Sequence, residues 1–144
     1  MSGERIRRAS RLVEIRAREV TLAEVALGER IRASTAADAA VHVVLLAREA
    51  ATSAAPARLC SSADLAEMYA YRLGLMRKAD SLAALAKKVK LEELEARGKL
   101  RAVNTELKKV ETWRDRLVEG LRAEELGHER KAADEVAARI ARNA

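Results

Sequence analysis

The sequence predicts an all-α protein: an antiparallel two-helix coiled-coil hairpin with an overhanging C-terminal helix. Three observations carry this expectation. First, the chain of 144 residues has no Phe, one Trp and two Tyr, so the bulky side chains of a globular core are nearly missing. Ala, Leu, Glu, Arg and Lys dominate instead, as in long helices that bury only a narrow apolar stripe. Second, Pro56 is the only proline and stands in an almost uncharged stretch of small residues, Thr52 to Ser62. Third, the chain beyond it keeps a heptad pattern for many turns.

Taken in order, the whole chain, 1–144, reads as a single elongated coiled-coil domain. A first helix is expected over about 3–51, with Ile6, Val13, Val20 and Leu27 spaced by sevens and Ala17 and Ile31 between them. A hinge follows at about 52–61. Pro56 disfavours helical geometry at Ala55 and removes a backbone donor, while Ser61 with Asp64 three residues later matches a capping box. The second helix is expected over about 62–142. Stepping alternately four and three residues from Leu75 lands on Ala79, Leu82, Ala86, Val89, Glu93, Ala96, Leu100, Val103, Leu107, Val110, Arg114, Leu117 and Leu121. Only Glu93 and Arg114 interrupt that stripe, and a period held so long requires a partner helix.

Folding back near Pro56 would set Ile6 opposite Glu106 to Val110, because both helices rise equally per residue. Beyond Leu121 the stripe reaches Glu124, His128, Lys131 and Glu135 and ceases to be apolar. The remaining residues should therefore overhang as a single helix with a weak stripe of Ala133, Val136, Ala137 and Ile140. Gly28, Gly74, Gly98, Gly120 and Gly127 fall inside the expected helices. They signify either neutral solvent-face positions or places of bending and close packing.

Charged residues make up 35% of the chain with both signs interleaved, so a net charge of +6 does not describe a dedicated nucleic-acid binder. Glu4/Arg8, Glu14/Arg18, Glu93/Arg97, Glu95/Lys99 and Glu135/Arg139 place the acid four residues before the base, the favourable helical order. Arg77, Lys78, Lys87, Lys88 and Lys90 form a basic cluster, but Glu92, Glu93 and Glu95 follow it and no aromatic residues interleave for base stacking.

Cys60 is the only cysteine, and His42 and His128 lie far apart along the sequence, so no metal site, cofactor or catalytic constellation is expected. The charged start, Met1 to Arg11, lacks the apolar middle of a signal peptide, and the run Ala39 to Ala47 is too short to span a bilayer. These features read as a cytoplasmic, non-enzymatic protein. Trp113 borders the interruption at Arg114. Tyr71, Leu75, Lys78 and Leu82 share one stripe near the hinge, readable as a protein-binding patch or as packing.

The ending Glu129-Arg130-Lys131-Ala132-Ala133-Asp134-Glu135-Val136-Ala137-Ala138-Arg139, in the pattern E-x-K-x-x-D-E-x-A-x-R, follows the heptads and the segment Tyr69 to Leu82. Together they resemble the FliJ family of flagellar export proteins and its YscO-like relatives in type III secretion. The resemblance implies an antiparallel coiled coil similar to the central stalk of rotary ATPases. It implies as partners the hexameric export ATPase, the membrane export-gate protein and export chaperones, with the protein peripheral at the export apparatus on the inner membrane. By the same resemblance Arg130, Lys131, Asp134, Glu135 and Arg139 would contact the ATPase ring, and Tyr71, Leu75, Lys78 and Leu82 the export gate. Lys78 and Leu82 depart from the smaller, more polar residues the family would place there. The competing readings are a generic coiled-coil adaptor or export chaperone and, third, a basic helical nucleic-acid binder.

Overall fold

The computed structural model describes residues 2–53 and 61–144; Pro56, Cys60 and most of the expected hinge lie outside them. Two long helices, α1 (Ser2–Ser53) and α2 (Ser62–Asn143), pack against each other as an all-α hairpin. No strand occurs among the described residues. Ala and long unbranched side chains lose little rotamer freedom in a helix, and no proline interrupts either element. The packing forms two units, Ala23–Leu100, and Met1–Leu22 with Arg101–Ala144.

Within Ala23–Leu100, every stripe position of α2 from Leu75 to Leu100 is buried or half-buried. The facing residues of α1 are Ala23, Leu27, Ser34, Ala37, Val41, Val44 and Ala51. Ile31 lies at the margin of this line, 37% exposed, and its neighbour Arg30 reaches across the seam to bond Glu92 at 2.6 Å. Small residues on the facing line let the helix backbones approach. Among the described residues no large side chain is fully buried, and Val44 and Ala79 are the deepest apolar positions of this unit. A half-buried leucine contributes about 1 kcal/mol, so stability is spread along the seam rather than concentrated in a core.

The facing ends of the helices are closed by side chains. Ser61 Oγ accepts from the Asp64 amide and Asp64 Oδ2 from the Ser61 amide, both at 3.2 Å, which is the expected capping box. The last turn of α1 carries no basic residue of its own. Instead Arg72 of α2 donates through Nε (3.2 Å) and Nη2 (2.9 Å) to the Ala51 carbonyl, one of the orphan acceptors of a helix C-terminus. Because Ala51 meets Arg72, the first turns of α2 run past the level of Ala51, and Leu65 is accordingly 53% exposed.

Within the other unit, Ile6, Ala9, Val13, Arg16, Ala17 and Val20 of α1 are covered, Ala9 completely, as are Val103, Leu107, Val110, Arg114, Leu117 and Leu121 of α2. The expected register is corrected here: Arg16, not Ile6, lies within the field of Glu106. A fold symmetrical about Pro56 ignores the turns of α2 that extend beyond Ala51. Arg114, the second interruption of the stripe, is half-buried and turns its guanidinium to neighbouring Asp115 at 3.2 and 3.3 Å.

Of the expected acid-first pairs, Glu4–Arg8 and Glu93–Arg97 are formed. Arg16–Glu19, Lys90–Glu93 and Glu106–Lys109 form at a spacing of three. A side chain added at any helical glycine would meet nothing within 4 Å, so close packing within the hairpin does not explain them.

Two outcomes test this account. Arg72→Met should lower the unfolding free energy by about 1 kcal/mol and raise amide exchange selectively between Arg48 and Ser53; unchanged exchange there would refute the cap. Gly98→Ala should raise stability by about 0.5–1 kcal/mol in chemical denaturation, since it gains helix propensity and meets no neighbour.

Candidate functional site

Past Leu121, α2 continues to Asn143 with its side chains in solvent, Gly127 alone being half-covered. Arg130, Lys131, Asp134, Glu135 and Arg139 all lie on this arm and are exposed. At about 100° per residue they occupy one half of the helix, while Ala133, Val136, Ala137 and Ile140 occupy the other. Val136 and Ile140 are 54% and 66% exposed. Asp134, Glu135 and Arg139, with Ala138 and Arg142, border a shallow depression on the charged side. Among the described residues none of these charges forms an ion pair with another side chain, so their donors and acceptors are available to a partner. The arm is thus an amphipathic helix whose apolar side faces water, the form in which helices dock into grooves.

The segment from Tyr69 to Leu82 divides between two environments. Leu75 and Leu82 are half-buried in the seam against α1, while Tyr71 and Lys78 are exposed on its flank. Tyr69, on the other flank and 70% exposed, joins Arg48, Thr52, Arg72, Leu73 and Met76 around a shallow groove. The four stripe residues therefore share the stripe but not one open face. Tyr69 and Met76 are the residues that spacing alone passed over, although their place beside the stripe follows from the heptad register.

The most buried charge is Glu93, whose side chain is 4% exposed. Arg97 donates to its Oε1 through Nη2 (2.8 Å) and Nε (3.2 Å), Lys90 Nζ donates to Oε2 at 3.3 Å, and buried Ser34 of α1 lies near enough to favour the ionised carboxylate. The hydrogen bond from Arg97 is the chief cause that lowers its pKa to about 2; Ser34 and Lys90 act in the same direction and burial opposes them. Burial opposes them less strongly than Arg97 or Ser34 acts but more strongly than Lys90, since only two helices surround the carboxylate. In the other unit Arg16 is held in its charged form above its ordinary value, first by the hydrogen bond and charge of Glu19 and more weakly by Glu106.

The basic cluster of Arg77, Lys78, Lys87, Lys88 and Lys90 is exposed, and Lys90 is drawn to Glu93. Trp113, 43% exposed, lines a shallow face of α2 with Thr105, Lys108, Lys109, Thr112 and Arg116. His42 and His128 are exposed. Among the described residues no three His, Cys, Asp or Glu side chains are grouped to hold a metal ion, and no helix is long and apolar enough to cross a membrane. Among the described residues the grooves are shallow surfaces of one or two helices.

No family model, no curated protein and no solved structure matches this chain.

The position of Glu93 has a pH consequence of definite sign. Its folded pKa of about 2 lies below the ordinary 4.5, so its stabilisation is complete above about pH 4.5 and is lost as pH falls toward 2. The thermal midpoint, followed by helical ellipticity, should fall through that window. Glu93→Gln should have a lower midpoint at pH 7 and a flatter profile below pH 4.5; an unaltered profile would exclude Glu93 as the source.

Proposed function

We propose that this chain is a stalk component of a flagellar or type III protein export apparatus. In this reading it inserts its free arm into the hexameric export ATPase ring and couples the ring to the membrane export gate. It promotes ATPase assembly and substrate export without hydrolysing nucleotide itself, and it works in the cytoplasm at the inner-membrane apparatus. The observation that carries the reading is the continuation of α2 as an unpaired amphipathic helix past Leu121, bearing the Arg130, Lys131, Asp134, Glu135 and Arg139 pattern on one side. A structural spacer has no physical need for that arm, whereas a helix inserted into a ring needs both a charged and an apolar side to be recognised.

The export gate would meet the flank of Tyr71 and Lys78, with Leu75 and Leu82 supporting that flank from the seam. Export chaperones would be further partners on the exposed helix faces. A generic adaptor is the second reading, favoured by apolar residues outside the seam such as Val43 and Leu46, 64% and 51% exposed.

The purified chain should raise the ATPase activity of its export ATPase. The combined Arg130→Glu, Lys131→Glu and Arg139→Glu variant should lose about tenfold or more in apparent affinity, with helicity unchanged by circular dichroism. Undiminished stimulation by that variant would overturn the assignment.

A further inference from the structure

In the unit of Met1–Leu22 with Arg101–Ala144, the large apolar side chains exposed ahead of the arm are Leu12, Ile15, Leu22 and Trp113. All four stand on one flank of the seam. On α1 the heptad row one residue before the covered Ile6, Val13 and Val20 is Arg5, Leu12 and Glu19, and the row outside it is Arg8, Ile15 and Leu22. On α2 the equivalent rows, set by Leu107, Arg114 and Leu121, are Glu106, Trp113 and Gly120, then Lys109 and Arg116. Side chains turned the same way from an antiparallel seam share a flank. Arg16, bonded to Glu19 of the α1 row, lies in the field of Glu106 of the α2 row, so these rows are neighbours. The opposite flank bears Arg7, Glu14, Lys108, Glu111 and Asp115 and no exposed large apolar side chain.

The apolar flank is also cationic. Its two acids are engaged within the hairpin, Glu19 by Arg16 at 2.9 Å and Glu106 by Lys109 at 3.1 Å. Arg8 holds Glu4 of the adjoining outer row, while Arg5 and Arg116 are exposed and form no ion pair among the described residues. With Arg16 level with Glu106, Trp113 comes level with Ala9 and Arg116 with Ile6. Arg5, Arg8 and Arg116 therefore fall within about 6 Å of the indole along the axis.

We propose that this flank rests on an anionic lipid surface, with Trp113, Leu12, Ile15 and Leu22 entering the headgroup layer and the arginines on lipid phosphates. Every cation of Ser2–Leu22 is an arginine, whose planar fork pairs phosphate bidentately. Indole and long cationic side chains keep an apolar body in lipid and a polar end at the headgroups. The layout selects lipid over protein. A partner helix laid along the flank would sit between the two inner rows and bury Arg5, Glu19 and Glu106, at a cost in desolvation, while leaving Ile15 and Leu22 of the outer row uncovered. A plane resting on both helices takes the apolar tips of inner and outer rows together and leaves the charges among hydrated headgroups. A nucleic-acid strand would meet the cations and gain nothing from Leu12, Ile15 and Leu22. The contact uses neither the C-terminal arm nor Tyr71, so it stands whether or not the export reading holds.

Trp113 is the only tryptophan and reports the contact directly. At about 0.1 M salt, vesicles of mixed phosphatidylglycerol and phosphatidylcholine should shift the emission of the full chain to the blue and co-sediment with it, and pure phosphatidylcholine vesicles should do neither. Arg5→Glu with Arg116→Glu should weaken vesicle binding by about tenfold or more, and Ile15→Ser with Leu22→Ser by a similar factor. Arg7→Glu with Lys108→Glu, the same charge change on the opposite flank, should stay within about threefold, because that flank lies beyond the screening length. Helical ellipticity should be retained in each variant. No shift with anionic vesicles, equal losses from the two charge-reversed pairs, or binding indifferent to Ile15→Ser with Leu22→Ser would each overturn the proposal. An equal emission shift with a single-stranded oligonucleotide would also overturn it and assign the flank to nucleic acid.

Discussion

The hairpin depends on a single shared seam, because a structure two helices thick offers no other place to remove apolar surface from water. Each stripe residue is covered from one side, which is why even its leucines are half-buried and the deepest apolar positions are alanine and valine. The hydrophobic effect then holds the helices together without choosing strongly among registers, since one half-covered alanine or leucine layer resembles the next. Choice of register has to come from groups whose misplacement is costly.

Glu93 is such a group. Sliding either helix by one turn would separate it from Ser34, part Arg30 from Glu92 and withdraw Arg72 from the Ala51 carbonyl. All of these contacts lie in Ala23–Leu100 and report the same alignment. Arg97 and Lys90 travel with Glu93 on α2, so they compensate its charge in any alignment; Ser34 and the small residues around it determine where that compensated charge can fit. The polar interruption of the stripe is therefore a source of specificity more than of stability, in keeping with the modest net value of buried ion pairs.

With so little interior, most of the chain's recognition capacity stands on the outside. The exposed features are of three kinds: an arm that is amphipathic beyond the seam, two opposite flanks of α2 that bear Tyr71 and Tyr69, and apolar residues on the outer side of α1. The proposed stalk function uses the first two, and the third stands outside it. They draw on different residues, and each can be altered without touching the seam.

The helices, the capping box at Ser61 and Asp64, the line of covered residues from Leu75 to Leu121 and its end there were all legible in the sequence, because they follow from local propensity and from periodicity along one helix. The site was legible to a lesser degree: the arm's charged and apolar sides appear in the residue spacing, whereas the separation of Tyr71 and Lys78 from Leu75 and Leu82 depends on where α1 lies. The tertiary structure alone decided the pairing of one helix with the other. It placed Arg16 rather than Ile6 near Glu106, joined Arg30 to Glu92 across the seam, and made Arg72 the cap of a helix to which it does not belong. Periodicity states which side of a helix turns inward. Relative sliding is set by contacts between residues distant in sequence, and no repeat within either helix encodes it.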